Sequence, residues 1–121
     1  MIEIKEKLNS GFCKVYQNEN FKAAYITRSD AYSYGRINEM KRHNNTDELF
    51  VLLDGAATML ILEDEKFVET QLKKDITYVV EKETWHYLAV SVDAKVFVCE
   101  NADTNAENTD TKSVSYILNQ D

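Results

Sequence analysis

Proline is absent from these 121 residues, glycine occurs three times, cysteine and histidine twice each, and tryptophan once. Each shortage removes a class of function. Three scattered glycines leave no room for a phosphate-cradling glycine loop or a dinucleotide fingerprint, which each need several within a few residues. Cys13 and Cys99 lie too far apart in sequence to form a redox or metal-binding pair, so they read as two reduced, buried thiols in a cytoplasmic protein. Fourteen basic residues against 21 acidic ones give a net charge of −7. The basic residues are dispersed, which argues against a nucleic-acid surface. No apolar run approaches membrane-spanning length. The opening Met1-Ile-Glu-Ile-Lys-Glu-Lys lacks the basic-then-apolar order of a secretory signal. There is also no serine or cysteine nucleophile triad. The lack of proline is unusual for a chain with so many turns.

What is present is short bursts of Val, Ile, Tyr and Phe separated by polar turns, the pattern of an all-β chain. Residues 12–17 and 21–27 flank Asn18-Glu19-Asn20 and predict a first hairpin. Tyr34 to His43 reads as a strand after the Ser29-Asp30 turn. Residues 49–53 and 57–63 predict a hairpin hinged at Asp54-Gly55, a dipeptide suited to positive backbone dihedrals. Residues 67–72, 76–80, 86–92 and 95–99 continue at the spacing of a sandwich or barrel. Residues 1–9, with Ile2, Ile4 and Leu8, read as a short helix or an edge strand. Residues 100–112 are acidic, without apolar periodicity, and read as a loop. Val114, Tyr116 and Leu118 then alternate as a strand over 113–119, able to pair with its own sheet or with that of a second subunit. With no repeat and no linker, the expectation is one domain over residues 1–121.

The two histidines and one acid carry the chemistry. Successive strand residues face opposite sides, so Glu39, Lys41 and His43 share a face in a regular strand, as do Glu48, Phe50 and Leu52. A carboxylate at the inner end of a strand of Phe, Val and Leu is costly unless paired or coordinated. His86 stands between Trp85 and Tyr87-Leu-Ala-Val, again a mostly apolar strand. Two imidazoles and a carboxylate aimed into one cavity make a set suited to divalent Fe, Mn, Ni or Zn.

These residues resemble the cupin superfamily, small double-stranded β-helix (jelly-roll) barrels. The first cupin motif reads His-x-His, three or four residues, Glu, six residues, Gly; here His43 takes the second His slot, Glu48 the Glu slot and Gly55 the closing Gly. The second reads Gly, five residues, Pro-x-Gly, two residues, His, three residues, Asn, and Thr84-Trp85-His86 places His86 in its ligand slot. The resemblance spans roughly residues 34–100. Departures are explicit: Lys41 stands at the first His slot, Asp75, Glu81 and Glu83 at the Gly, Pro and Gly slots, and Val90 at the Asn slot. An ammonium about 5 Å from a divalent ion, at an effective dielectric near 20, feels roughly 6–7 kcal/mol of repulsion. Lys41 must therefore point away, lose its proton, or replace the metal by pairing with Glu48; Glu39 is a candidate for the missing ligand.

The resemblance implies a cupin-like barrel with a small-molecule pocket, without nucleic-acid or membrane partners. The resemblance and the exposed edges of apolar terminal strands imply a homodimer. In the leading reading the protein is a metal-dependent enzyme with His43, Glu48 and His86 as ligands and Lys41, His43 and His86 as catalytic groups. Glu39, Phe50, Tyr78 and Trp85 would line the pocket; other tyrosines read as core. Two alternatives stand beside it: a metal-free sugar isomerase or epimerase in which a histidine shuttles a proton, and a non-catalytic ligand-binding or degenerate cupin.

Overall fold

The computed structural model describes residues 1–6 and 9–120. Its strands are β1 (Phe12–Gln17), β2 (Phe21–Ile26), β3 (Gly35–His43), β4 (Glu48–Asp54), β5 (Ala57–Glu63), β6 (Lys66–Gln71), β7 (Thr77–Val80), β8 (Trp85–Val90), β9 (Lys95–Asn101) and β10 (Thr109–Leu118). They form two five-stranded sheets, β1-β2-β9-β4-β7 and β10-β3-β8-β5-β6. All pairings between these strands are antiparallel. This is the all-β jelly roll that the apolar bursts predict. No helix among the described residues is long and apolar enough to cross a membrane.

Alternation builds the inner core. Phe50 and Leu52 of β4, Val96 and Val98 of β9, and Leu88 and Val90 of β8 all point between the sheets and are at most 4% exposed. Burying such side chains stabilises the fold by roughly 1.5–3 kcal/mol each.

Four expectations need correction. Asp54-Gly55 does not turn a hairpin: β4 pairs with β7 and β9, whereas β5 pairs with β6 and β8. The dipeptide instead carries the chain from one sheet to the other. The tight hairpin lies at Asp64-Glu65, both at positive φ, between β5 and β6; two such residues are what a type I′ turn requires. Residues 100–112 are not all loop, because β9 runs to Asn101 and β10 begins at Thr109, its start matched in register with His43. Residues 1–6 are exposed and form neither helix nor strand; Leu8 lies outside the described residues. Cys13 and Cys99, expected to be buried, are only partly so.

Gly55 is required at its corner. Its φ is +73°, and a Cβ there would sit 2.6 Å from Ala94 Cα, 2.7 Å from Ala94 N and 2.7 Å from Ser91 Oγ. Backbone atoms cannot swing aside as a side-chain tip can. Gly55→Ala is therefore expected to destabilise the fold by about 1–3 kcal/mol, read as a lower urea midpoint at unchanged slope.

A second apolar layer covers the outer face of the β8-containing sheet. β3 is matched with β8 only at Lys41–His86, and its beginning leaves the sheet. There Tyr87 Oη donates to the Ser33 carbonyl at 2.7 Å, and the Tyr34 hydroxyl meets Thr58 Oγ1 of β5 at 2.9 Å. β10 follows β3, and its Tyr116 ring comes within 4.6 Å of Phe67 on β6, the far edge of the same sheet. The β3–β10 ribbon thus folds across the sheet and encloses Ile37, Met40, Leu60, Ala89 and Leu118, all at most 1% exposed. The C-terminal strand pairs within its own chain, with β3, and stands at the edge of its sheet.

Candidate functional site

Where β3 parts from β8, the barrel opens into a cavity of about 460 Å³, within the 300–1,000 Å³ usual for small-molecule sites. Three strands aim side chains into it. β4 opens on Glu48, whose buried alternation with Phe50 and Leu52 directs it inward. β8 sends His86 inward with Leu88 and Val90, while His43 ends β3. The turn between His43 and Glu48 is fixed at several points. The Glu83 amide donates to the His43 carbonyl at 2.7 Å, the Lys82 amide to Asp47 Oδ1 at 2.9 Å, and the Asn101 amide to Thr46 Oγ1 at 3.0 Å.

The three side chains meet. Glu48 Oε1 lies 3.3 Å from His43 Nε2 and 3.2 Å from His86 Nε2. The ring centroids are 5.3 Å apart. His86 Nδ1 is 2.9 Å from the Thr84 carbonyl, and His43 Nδ1 is 2.9 Å from Thr109 Oγ1. A carbonyl only accepts, so His86 Nδ1 carries a hydrogen. In neutral His86 the Nε2 lone pair would then face the Glu48 carboxylate, acceptor against acceptor. A proton or a metal ion must lie between them, and the lowered pKa of Glu48 puts the proton on Nε2 rather than on the carboxyl.

The electrostatics describe the proton form. Burial opposes ionisation of Glu48, but hydrogen bonds from His43 and His86 outweigh it and hold its carboxyl at about 2. Burial likewise disfavours a charged His86, yet the Glu48 carboxylate pushes its pKa up. A divalent ion also fits. Metal–ligand bonds of about 2.1 Å separate neighbouring ligand atoms by roughly 3.0–3.4 Å in octahedral or tetrahedral geometry. The observed 3.2 and 3.3 Å between Glu48 and each imidazole fall in that range; the three ligand atoms lie within 4.8 Å of one another, a bound wider than that range, so the match rests on the two Glu48 separations. Orientation of a ligating imidazole through Nδ1–H to a carbonyl is the usual outer-shell arrangement.

Of the other sequence-derived candidates, Glu39, Lys41 and Phe50 line the cavity, whereas Tyr78 and Trp85 do not. Trp85 precedes His86, so alternation turns it to the opposite face. There the Arg42 guanidinium sits 4.6 Å from its ring centroid. Tyr78 packs into the inner core, and its hydroxyl accepts from the Lys73 amide at 3.0 Å. Glu39 and Lys41 are exposed. Among the described residues the ion pairs of Glu48 are with the two histidines and none is with Lys41, so of the three alternatives for Lys41, pairing with Glu48 is not realised. Glu39 is not part of the three-residue cluster.

The sequence reading missed Glu100. It is 8% exposed, lines the cavity, and leaves Oε2 without a hydrogen-bond partner. Leu49 pairs with Cys99 and Phe50 with Val98, a register that brings Glu48 opposite Glu100. Two carboxylates so placed do not both ionise readily. Burial first, then the Glu48 carboxylate, raises Glu100 to about 8, against a partial offset from Lys22, whose Nζ is 3.7 Å from Oε1. Ending β9 at residue 99 hid this; two more residues of the Val96–Val98 alternation place Glu100 inside. Tyr32 was also missed, and burial followed by Glu48 and Glu100 lifts its hydroxyl to about 12.

These shifts set a pH dependence for metal-free protein. Folded Glu100 keeps a proton that the unfolded chain releases near 4.5, so its contribution is complete below that value and is lost as pH rises through about 8. Raised His86 acts in the same direction, losing its contribution as pH rises above the ordinary 6.5. Glu48 contributes above 4.5 and is lost as pH falls towards 2. Tm is therefore expected to fall between pH 6 and 9, by roughly 3–6 °C per kcal/mol lost. Glu100→Gln should flatten that slope; an unchanged slope in thermal melts would show that Glu100 does not carry it.

No protein-family model matches the sequence, and no curated protein matches it. Solved structures do match in three dimensions. A cupin-2 domain containing protein from Shewanella frigidimarina is 16% identical with a TM-score of 0.58, covering 75% of this chain and 79% of its own. A mutant of QdtA, a 3,4-ketoisomerase from Thermoanaerobacterium thermosaccharolyticum solved with TDP-4-keto-6-deoxyglucose, is 11% identical with a TM-score of 0.61 over 73% of this chain. Oxalate decarboxylase from Bacillus subtilis is 15% identical with a TM-score of 0.63 over 86% of this chain. The match spans 63% of the ketoisomerase and 28% of the decarboxylase, less than two thirds of either. At such identities the shared property is the fold, and this chain has the cupin fold.

Proposed function

We propose that the protein is a small-molecule enzyme whose His43, Glu48 and His86 hold a divalent transition metal at the inner end of the cavity. The observation that carries this reading is the convergence of two Nε2 atoms on one carboxylate oxygen at 3.2 and 3.3 Å, with His86 oriented by the Thr84 carbonyl. When bound, the ion would supply Lewis-acid polarisation of a substrate oxygen. The chain's own groups do the rest. Phe50 and Leu88 give the cavity apolar wall, and Tyr32 and Glu100 place a neutral hydroxyl and a carboxyl beside the cluster. Glu100 is the candidate proton donor of this set, since burial and the Glu48 carboxylate raise its pKa in the metal-free site while Glu48 stays ionised. Lys41, exposed at the cavity rim, would feel the ion's repulsion reduced by solvent and serve as a clamp for an anionic substrate group.

The ligands must shed protons before coordinating, so metal uptake releases protons and strengthens with pH. Calorimetric titration of chelator-stripped protein with Mn(II), Zn(II), Ni(II) or Fe(II) tests the reading. The expected result is about one equivalent bound, with a heat that changes with buffer ionisation enthalpy. Uptake below about a tenth of an equivalent with every metal would remove it.

A second reading keeps the proton form. The carboxylate–imidazole contacts are complete without a metal, and one structural neighbour is a ketoisomerase crystallised with a TDP-sugar. His43 or His86 would then shuttle a proton on a sugar ligand, with Glu48 tuning it. Titration with TDP-sugars separates the two: heat and a Tm shift in metal-free protein support this reading, and silence at millimolar ligand counts against it. The free cysteines accord with a reducing, cytoplasmic compartment in either case.

A further inference from the structure

Trp85 and His86 are neighbours on β8 but face opposite ways, and the Trp85 side opens on a second hollow. β6 and β10 are the edge strands of their sheet, and they meet where the Tyr116 ring packs on Phe67 and its hydroxyl donates to Glu69. Nearer the start of β10 they part and leave a groove of about 460 Å³, within the range of small-ligand sites. Register lays its floor. Trp85 pairs with Leu62 and Leu62 with Phe67, so three half-buried apolar side chains form one row across β8, β5 and β6. Val114 of β10 makes the wall. Charge is divided between the two ends. The exposed Asp64-Glu65 turn bounds the β6 end. At the Trp85 end, Lys112 Nζ lies 5.6 Å from the indole centroid and the Arg42 guanidinium 4.6 Å from it. Arg42 is paired with Asp110, but among the described residues Asp64, Glu65 and Lys112 are in no ion pair.

We propose that this groove binds a short peptide with free ends, two or three residues long and carrying a large apolar side chain. The peptide ammonium meets Asp64 and Glu65, its apolar side chain lies on the Trp85–Leu62–Phe67 row, and its carboxylate meets Lys112. Charge complementarity selects this occupant. An apolar acid leaves both carboxylates of the groove unmatched, an apolar amine leaves Lys112 unmatched, and a neutral apolar molecule leaves all three. The span sets the length. Two strand spacings of about 4.8 Å put roughly 10 Å between β6 and β8, and an extended chain covers about 3.3–3.6 Å per residue. The outer edges of β6 and β10, which no described strand covers, offer main-chain donors and acceptors to a peptide backbone. The proposal is independent of the metal reading, because the groove opens on the face of β8 opposite to His86.

Trp85 is the sole tryptophan, so its indole Nε1–H resonance reports on this groove without overlap. Titrating the full chain with the tripeptide Ala-Leu-Ala should shift that resonance and the Leu62 and Val114 methyls saturably, with a Kd of about 1 mM or below. Gly-Gly-Gly should bind about 10-fold or more weakly, for want of the apolar side chain. Acetylating the N-terminus or amidating the C-terminus of Ala-Leu-Ala should each weaken binding about 2–5-fold, the scale of a solvent-exposed ion pair. Lys112→Ala should abolish the effect of amidation and keep that of acetylation. Asp64→Asn combined with Glu65→Gln should do the reverse. These three side chains are exposed and unpaired, so the variants keep the fold. No shift at about 10 mM Ala-Leu-Ala, a hundredth of the standard state, would overturn the proposal. So would equal binding of the doubly capped peptide, or shifts confined to the His43–Glu48–His86 cavity.

Discussion

Glu48→Ala is expected to weaken binding of Zn(II) or Mn(II) by more than about 100-fold, measured by competition with a chromophoric chelator. Loss of an outer-shell partner alone typically costs 10–100-fold in metal affinity, and Glu48 is the ligand that both imidazoles face. The remaining histidines would form a two-nitrogen site without an anion to balance a divalent charge. The fold should survive, because the same change removes the carboxylate that opposes ionisation of Glu100 and the counter-charge that holds a proton on His86. Retained cooperative unfolding with lost affinity is thus the expected pair of results. Unchanged affinity would mean that the metal, if any, binds elsewhere.

Leu60→Ala carries the largest expected change in stability. Leu60 is fully buried on the outer face of β5, beneath the β3–β10 ribbon. Truncating a leucine so enclosed costs about 2–5 kcal/mol, because the lining does not collapse fully onto the void. Val68, 49% exposed on β6, provides the control, and Val68→Ala should change stability by no more than about 0.5 kcal/mol. Urea unfolding of the two variants measures the difference. If the ribbon did not lie across the sheet, Leu60 would face solvent and its truncation would resemble that of Val68.

The strands were legible because the apolar bursts are short and regularly spaced. The partners of those strands were not. Alternation says which way Leu52 and Met59 point, but not that β4 and β5 belong to different sheets. Asp54-Gly55 has the composition of a hairpin turn, yet Gly55 is needed for its closeness to Ala94, a contact that exists only after the chain has folded. The His43–Glu48–His86 cluster was legible, since alternation within two strands and the first-motif spacing both point inward. Trp85 was misplaced although the same alternation, applied from His86, sends it to the opposite face. Glu100 was hidden because the apolar alternation of β9 ends at Cys99, one residue short of it. Thr109, the partner of His43 Nδ1, was hidden by reading acidic, polar residues as loop when they begin β10.

An anomalous difference map from crystals of protein never exposed to chelator tests the central claim most directly. The account predicts a transition-metal peak about 2.0–2.2 Å from His43 Nε2, His86 Nε2 and Glu48 Oε1. A map with no peak between those three atoms, from protein whose elemental analysis also shows no bound metal, would contradict it and leave the cluster held by protons alone.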